Sequence, residues 1–370
     1  MMFFLKIVAA FVVAILLLVI LVVFLIRWKF RRFLKRIVDQ YSSGGTVPPF
    51  RVKLIPVEDE SIGWNRSEEV NSLTDEFRKL NFTPIGDFDA EDLPLRIRAF
   101  QHQEHQAYGV IYEHAAAGCW CDVVRRYTDD TGWTVSSGKE HGMDSAPWHH
   151  PLFLPGKPLA ELHEKLLELS PSTGLQRAGA DVFVQRFESA YAREMNWRIE
   201  RGGPTEEEIR RIASLNGTEP TPEDVERIQT QWRTAIADFL SELALKVWRK
   251  ESGISRQNFD EMSHRLVVIH RKLQPHQLEA ILDCNDEEDD EDNAETAGSQ
   301  GEKIRELCRN SSPVAVFHDF ISRQDASAGS WKKVGEVQRP LKAEIWERPD
   351  QESSQNEEDP ESEFDDELNV

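Results

Sequence analysis

Cysteine is scarce and poorly spaced for chemistry: four residues in a chain of 370, at positions 119, 121, 284 and 308. No Cys-x-x-Cys pair occurs, which excludes the usual zinc-finger and dithiol redox patterns. No Gly-x-Ser-x-Gly frame is present, so no serine has the strained elbow that exposes a hydrolytic nucleophile. A glycine-rich phosphate loop is missing as well. Arg201-Gly202-Gly203-Pro204 reads instead as a turn between helices, its proline and the following threonine serving the next helix start. These absences leave no cofactor expected.

Charge is lacking where it matters most. Residues 7–26, IVAAFVVAILLLVILVVFLI, contain no charged residue, glycine, proline or hydroxyl. At about 1.5 Å per residue the run spans about 30 Å, the thickness of a bilayer core. It is longer than a signal-peptide core and ends in Arg27-Trp28-Lys29-Phe30 rather than in a small-residue cleavage site, so it reads as an uncleaved transmembrane helix. Only Lys6 and the amino terminus precede it, whereas Arg27, Lys29, Arg31, Arg32, Lys35 and Arg36 follow. The positive-inside rule then predicts a single-pass membrane protein with its amino terminus outside and its main domain cytoplasmic, at a plasma or bacterial inner membrane. Residues 27–41 alternate at helical spacing between an apolar stripe (Phe30, Phe33, Leu34, Ile37, Val38, Tyr41) and those bases. With Trp28 at the interface, this collar is expected to meet anionic lipid headgroups.

The formal net charge of −21 is local. Residues 286–295 carry eight carboxylates and residues 350–367 ten more, with no base in either tract, so eighteen of the excess negatives lie in two short stretches. Like-charge tracts with few apolar residues cannot bury enough surface to fold and read as disordered. The remainder is balanced, and with the bases gathered beside the membrane segment nucleic acid is excluded as a partner.

The intervening chain predicts an α+β fold. A strand at 51–57 and an amphipathic helix at 67–80 precede short alternating runs at 95–100, 108–112, 119–127 and 133–137. Short strands with tight connections predict an antiparallel meander packed on that helix. A mainly helical layer follows, with helices at 158–169, 180–199, 206–215, 223–249, 256–273 and 275–282; Thr205 with Glu208 forms a capping-box pattern. The expected organisation is a tail 1–6, the transmembrane helix 7–26, the basic helix 27–41, a linker 42–49, an α+β region 50–156, a helical region 157–284, an acidic disordered tract 285–302, a weakly structured segment 303–347 and an acidic disordered tail 348–370.

Eight histidines and cysteines fall within residues 102–150. Cys119 and Cys121, two apart in a strand, point both sulfurs to one face, while the spacing of His102 and His105 matches no zinc pattern. The irregular stretch 136–155 holds His141, Asp144, His149 and His150 beside Ser136, Ser137 and Ser145, so an acid, a base and a hydroxyl are all available. The helix 180–199 carries Glu188, Tyr191, Arg193 and Glu194, read as a solvated face.

The leading expectation is a membrane-anchored, non-enzymatic module that binds a protein partner or a ligand. The alternative is a metal-binding or metal-dependent hydrolytic domain using region 102–150, with Cys119, Cys121, His141, Asp144, His149 and His150 as candidate ligands. A third expectation is a structural adaptor that forms a homodimer through the near-heptad stripe Val225, Ile228, Trp232, Ala235, Phe239 and Leu243 of the longest helix.

Overall fold

Residues 47–58, 63–91, 93–282, 294–323 and 330–349 are described by the computed structural model, which divides into two compact units after Trp232. The expected transmembrane helix, the basic collar with Arg27, Trp28, Lys29, Arg31, Arg32, Lys35 and Arg36, most of the linker, most of the first carboxylate-rich tract and all of the second lie outside the described residues. Among the described residues no helix is long and apolar enough to cross a membrane.

The first unit is organised by strands whose side chains alternate between two faces. Its elements are β1 (Leu54–Pro56), α1 (Ser67–Lys79), β2 (Thr83–Ala90), β3 (Leu95–His102), β4 (Ala107–His114), β5 (Gly118–Arg126), β6 (Gly132–Ser136), β7 (His149–Phe153), α2 (Leu159–Leu169), α3 (Phe183–Arg201), α4 (Glu206–Leu215) and the start of α5 (Pro222–Ser252). The seven strands form one sheet in chain order, antiparallel throughout except for the parallel β6–β7 pair. The fold is thus α+β with a mostly antiparallel sheet, as short connections favour.

The stretch 136–155 contains a strand that its loop-like composition conceals. Residues 137–148 make the crossover that a parallel neighbour requires. Gly132 N–H then donates to Trp148 O (2.9 Å) and Leu154 N–H to Ser136 O (2.8 Å), locking β7 to the edge.

One sheet face is filled by α1 and α2. Phe77, Phe100, Ile111, Val123, Leu162 and Leu166 are fully buried there. Phe77 stacks on Phe100 at 4.6 Å and lies over Gly109, where a Cβ would overlap its ring. The other face, with Ile97, Ala99, Tyr108 and Val110, meets Phe183 of α3. These helices therefore belong to the sheet unit rather than to a separate helical region 157–284.

In the second unit are the remainder of α5, α6 (Arg256–Met262), β8 (Leu266–His270), α7 (Pro275–Ile281), α8 (Ala294–Asn310), α9 (Pro313–Arg323), β9 (Lys332–Val337) and β10 (Ala343–Glu347). The helix expected over 256–273 stops at Met262, because Leu266-Val267-Val268-Ile269-His270 is a continuous buried, β-branched run that pairs with β10. Such a run has no period to separate strand from helix.

The segment 303–347, expected to be weakly structured, folds: Ile304, Val316, Phe317 and Trp346 share a core with Ile269 and Leu278. Within it Pro313–Arg323 is helix, and the part of the expected acidic tract from Ala294 onward is also helix. In α5 the buried stripe runs Val225, Trp232, Ile236, Leu240, Ala244 and Trp248, not through Phe239 and Leu243. From Trp232 onward the buried steps are four residues, whereas a coiled-coil seam repeats every 3.5.

Candidate functional site

Pairing register places Val110, Asp122 and Ser136 in one row and Tyr108, Val124 and Thr134 in the next, all on the face toward α3. Tyr112 and Arg126 share that face by alternation, and the parallel pairing adds His149. In α3, Phe183, Phe187, Tyr191, Glu194 and Arg198 recur at steps of three and four and form one helix face. Between the two surfaces lies a cavity of about 650 Å³ lined by Tyr108, Tyr112, Asp122, Arg126, Thr134, Trp148, His149, Phe187, Tyr191 and Glu194, among others.

Two groups in its wall are underused. Among the described residues the Arg126 guanidinium makes no hydrogen bond or ion pair; burial lowers its pKa, while Tyr112 and Glu194 raise it from a distance. Gly132, opposite Arg126 in the ladder, leaves the space that this guanidinium occupies, and a Cβ there would collide with it. Asp122 Oδ1 is sealed from solvent and has no hydrogen-bond donor. Burial pushes the Asp122 carboxyl up to about 6, partly offset by the hydroxyls of Ser136 and Tyr112. Tyr112 is held protonated by burial and by Asp122. A sealed, unpaired carboxyl oxygen costs stability, and on the same strand face the Arg126 guanidinium opens on the cavity.

The neighbouring charges are engaged. Arg186 Nη1 donates to Tyr108 Oη (3.1 Å), and Arg193 lies on the Trp148 ring (4.3 Å) while donating to Asp130 O. His149 Nε2 lies 3.1 Å from Thr134 Oγ1, and its Nδ1 stands 3.8 Å from Glu194 Oε2, an ion-pair separation rather than a hydrogen bond. Burial pushes the Glu194 carboxyl up, but His149 and Arg198 outweigh it and hold it below the usual range.

Below the cavity a polar network straps residues 142–146 to α3 and α4. Gly202, at φ 85°, ends α3, and Thr205 opens α4 with a true capping box. Glu208, fully buried, accepts from Thr205 N–H (2.7 Å), from Asp144 N–H (2.8 Å) and from Arg201. Arg198 donates to Asp144 O (2.8 Å) and Ala146 N–H to Glu194 (3.2 Å). Arg211 pairs with the Asp144 carboxylate.

The residues picked from sequence are thereby dispersed. His149 alone of them reaches the cavity. Asp144 belongs to the strap, His141 packs edge-on against Phe153, and His150 lies on the opposite face beside Trp133 (4.6 Å). Cys119 and Cys121 do share a face, but it is the packed one, where burial pushes their thiols up to about 11 and about 12. Ser137 Oγ donates to Cys121 O, and among the described residues neither Ser136, Ser137 nor Ser145 is bonded to a histidine. The α3 residues read as a solvated face instead line the cavity, save Glu188, which accepts from Leu54 N–H (2.8 Å). Asp122 and Arg126 escaped notice, although charges in phase with Val124 on a central strand were a legible signal.

A second cluster was not expected. His102, His105 and His163 converge on the packed face, at the end of β3, in the β3–β4 turn and on α2. Burial, with His105 beside it, lowers the pKa of His102, and burial with the two other imidazoles and Arg125 pulls His163 down to about 4.

No family model, curated protein or solved structure matches this chain.

Proposed function

We propose that residues 47–232 form a receptor for a small molecule that carries an anionic group and, apart from it, a hydrogen-bond donor, held at the cytoplasmic surface of a membrane by the apolar segment 7–26. The observation behind this reading is the Arg126 guanidinium, set in a cavity wall without a partner. Arginine is the side chain best shaped to take a carboxylate or phosphate in two hydrogen bonds. Asp122, four residues away on the same strand face, would take the donor; about 13 Å separates their Cα positions, which favours an elongated ligand. The aromatic walls supply the apolar area that a small-ligand site needs. Binding rather than catalysis is favoured because, among the described residues, no serine of 136–155 is bonded to a histidine, Ser137 Oγ donating to Cys121 O.

The test is a thermal-shift and calorimetric screen of the full chain against carboxylates, phosphates and sulfonates. The expected result is saturable binding by members of one class, lost in Arg126→Met with the circular dichroism spectrum unchanged. Equal binding by the Arg126→Met variant, or no stabilisation by any anion class, would overturn it.

A further inference from the structure

The three histidines lie on the sheet face away from the cavity, and nothing in the ligand reading uses them. The His102 and His105 rings stack at 4.2 Å, and the His163 ring lies 5.4 Å and 5.0 Å from them. One nitrogen of each falls within 4.8 Å of the other two, and His105 Nδ1 stands 3.1 Å from His163 Nε2. Two nitrogens on one tetrahedral ion, with metal–nitrogen bonds of about 2.0–2.1 Å, stand about 3.3–3.4 Å apart. The observed separation is close to that value.

We propose that His102, His105 and His163 bind a divalent late first-row transition ion of the zinc class, with a fourth position open to solvent beside the half-exposed His105. His102 Nδ1 now accepts from His105 N–H (3.1 Å), which fixes its ring against that of His105. The same ring also has a backbone hydrogen-bond partner in Leu80, the kind of outer contact that orients metal-bound imidazoles. An ion exchanges the His102 hydrogen bond and the His105–His163 contact for coordination. Three imidazoles with neither thiolate nor carboxylate suit zinc, copper(II), nickel or cobalt and disfavour magnesium and calcium.

The surroundings hold the ligands in place. Phe82 meets the His102 and His163 rings edge-on at 4.9 Å and 5.2 Å. Arg125 braces the turn, Nε donating to His105 O (3.0 Å) and Nη1 to Ser170 Oγ (3.1 Å). Its charge opposes a cation while Glu104, in the turn, offsets it, so an exchangeable ion is expected. Without an ion, His105 and His163 share a single hydrogen bond between ring nitrogens 3.1 Å apart, a contact that coordination would replace.

The test uses the full chain, stripped with chelator and titrated with cobalt(II). One equivalent should bind with the strong visible absorbance of four-coordinate cobalt, zinc should displace it, and zinc-edge X-ray absorption should report three imidazoles. His105→Gln, in an accessible turn, should lose at least about tenfold in affinity with its fold intact, since losing even a group that only orients a metal ligand costs that much. His163→Gln should do the same; if it unfolds, the zinc-edge spectrum of the unaltered chain still decides. Arg126→Met should leave cobalt binding unchanged, separating this site from the cavity. Failure of the unaltered chain to bind, or a weak six-coordinate spectrum that persists in His105→Gln, overturns the proposal.

Discussion

The two faces of the seven-stranded sheet are built from alternate residues of the same strands, yet they have been put to opposite uses. Toward α1 and α2 the surface is close-packed: Phe77 fills the space over Gly109, and Phe100, Ile111 and Val123 are fully buried. Toward α3 the neighbouring positions are Tyr112, Asp122, Arg126 and Thr134, and the helix stands over a cavity instead of filling it. The first face supplies stability, and the second retains a guanidinium and a carboxyl oxygen that stability alone would not select. That contrast can be broken in measurable steps.

The largest effect is expected on the packed face. Phe77→Ala deletes a fully buried ring that stacks on Phe100 and meets Phe82 edge-on at 5.1 Å. It should destabilise the sheet unit by about 3–5 kcal/mol in denaturant unfolding, the range for aromatic truncation in a close-packed core. A loss below about 1 kcal/mol would mean that this face collapses readily and is no better packed than the other.

On the cavity face the sign should reverse. A carboxyl whose pKa is raised to about 6 holds its proton more tightly in the folded state than in the unfolded one, where the value is 3.8. Its charge therefore costs stability in full above about pH 6, and the cost fades as pH falls to about 4. Asp122→Asn removes it, so the variant should be more stable by about 2–3 kcal/mol at pH 7 to 8 and equal to the parent near pH 4. Unfolding curves across that range provide the measurement. A gain that stayed constant with pH would assign the effect to shape rather than charge, and a loss would mean that Asp122 is satisfied in solution.

The contrast also marks what could be read in advance. Strands β3 to β6 were legible because alternation reports a strand with two different faces, α1 because its apolar residues fall on one face, and α4 because its capping box is a local signal. Strand β7 was not: His149-His150-Pro151 has the composition of a loop, and it is extended only because β6 offers it an edge. Strand β8 was hidden for the opposite reason, its run being apolar throughout. The cavity residues were missed because Asp122 and Arg126 look like ordinary strand-surface charges until α3 is laid over them. His163, sixty-one residues from His102 in the chain, joins the histidine cluster only through the packing of α2 on the sheet.

The smallest expected effect probes whether the strap beneath the cavity is part of the fold's stability or a separate device that holds residues 142–146 in place. Thr205 Oγ1 accepts from Glu208 N–H (3.2 Å), one arm of the capping box, while Glu208 keeps its bonds to Asp144, Arg201 and Thr205 N–H. Thr205→Ala removes only that arm and should cost about 1 kcal/mol, or roughly 2–4 °C in thermal midpoint for a unit of this size. Hydrogen exchange at the amides of Asp144 and Ala146, which the strap protects, should then stay close to that of the parent. If those amides instead lose protection together with the first turn of α4, cap and strap form one cooperative element, and the cavity floor is only as stable as a single threonine hydroxyl allows.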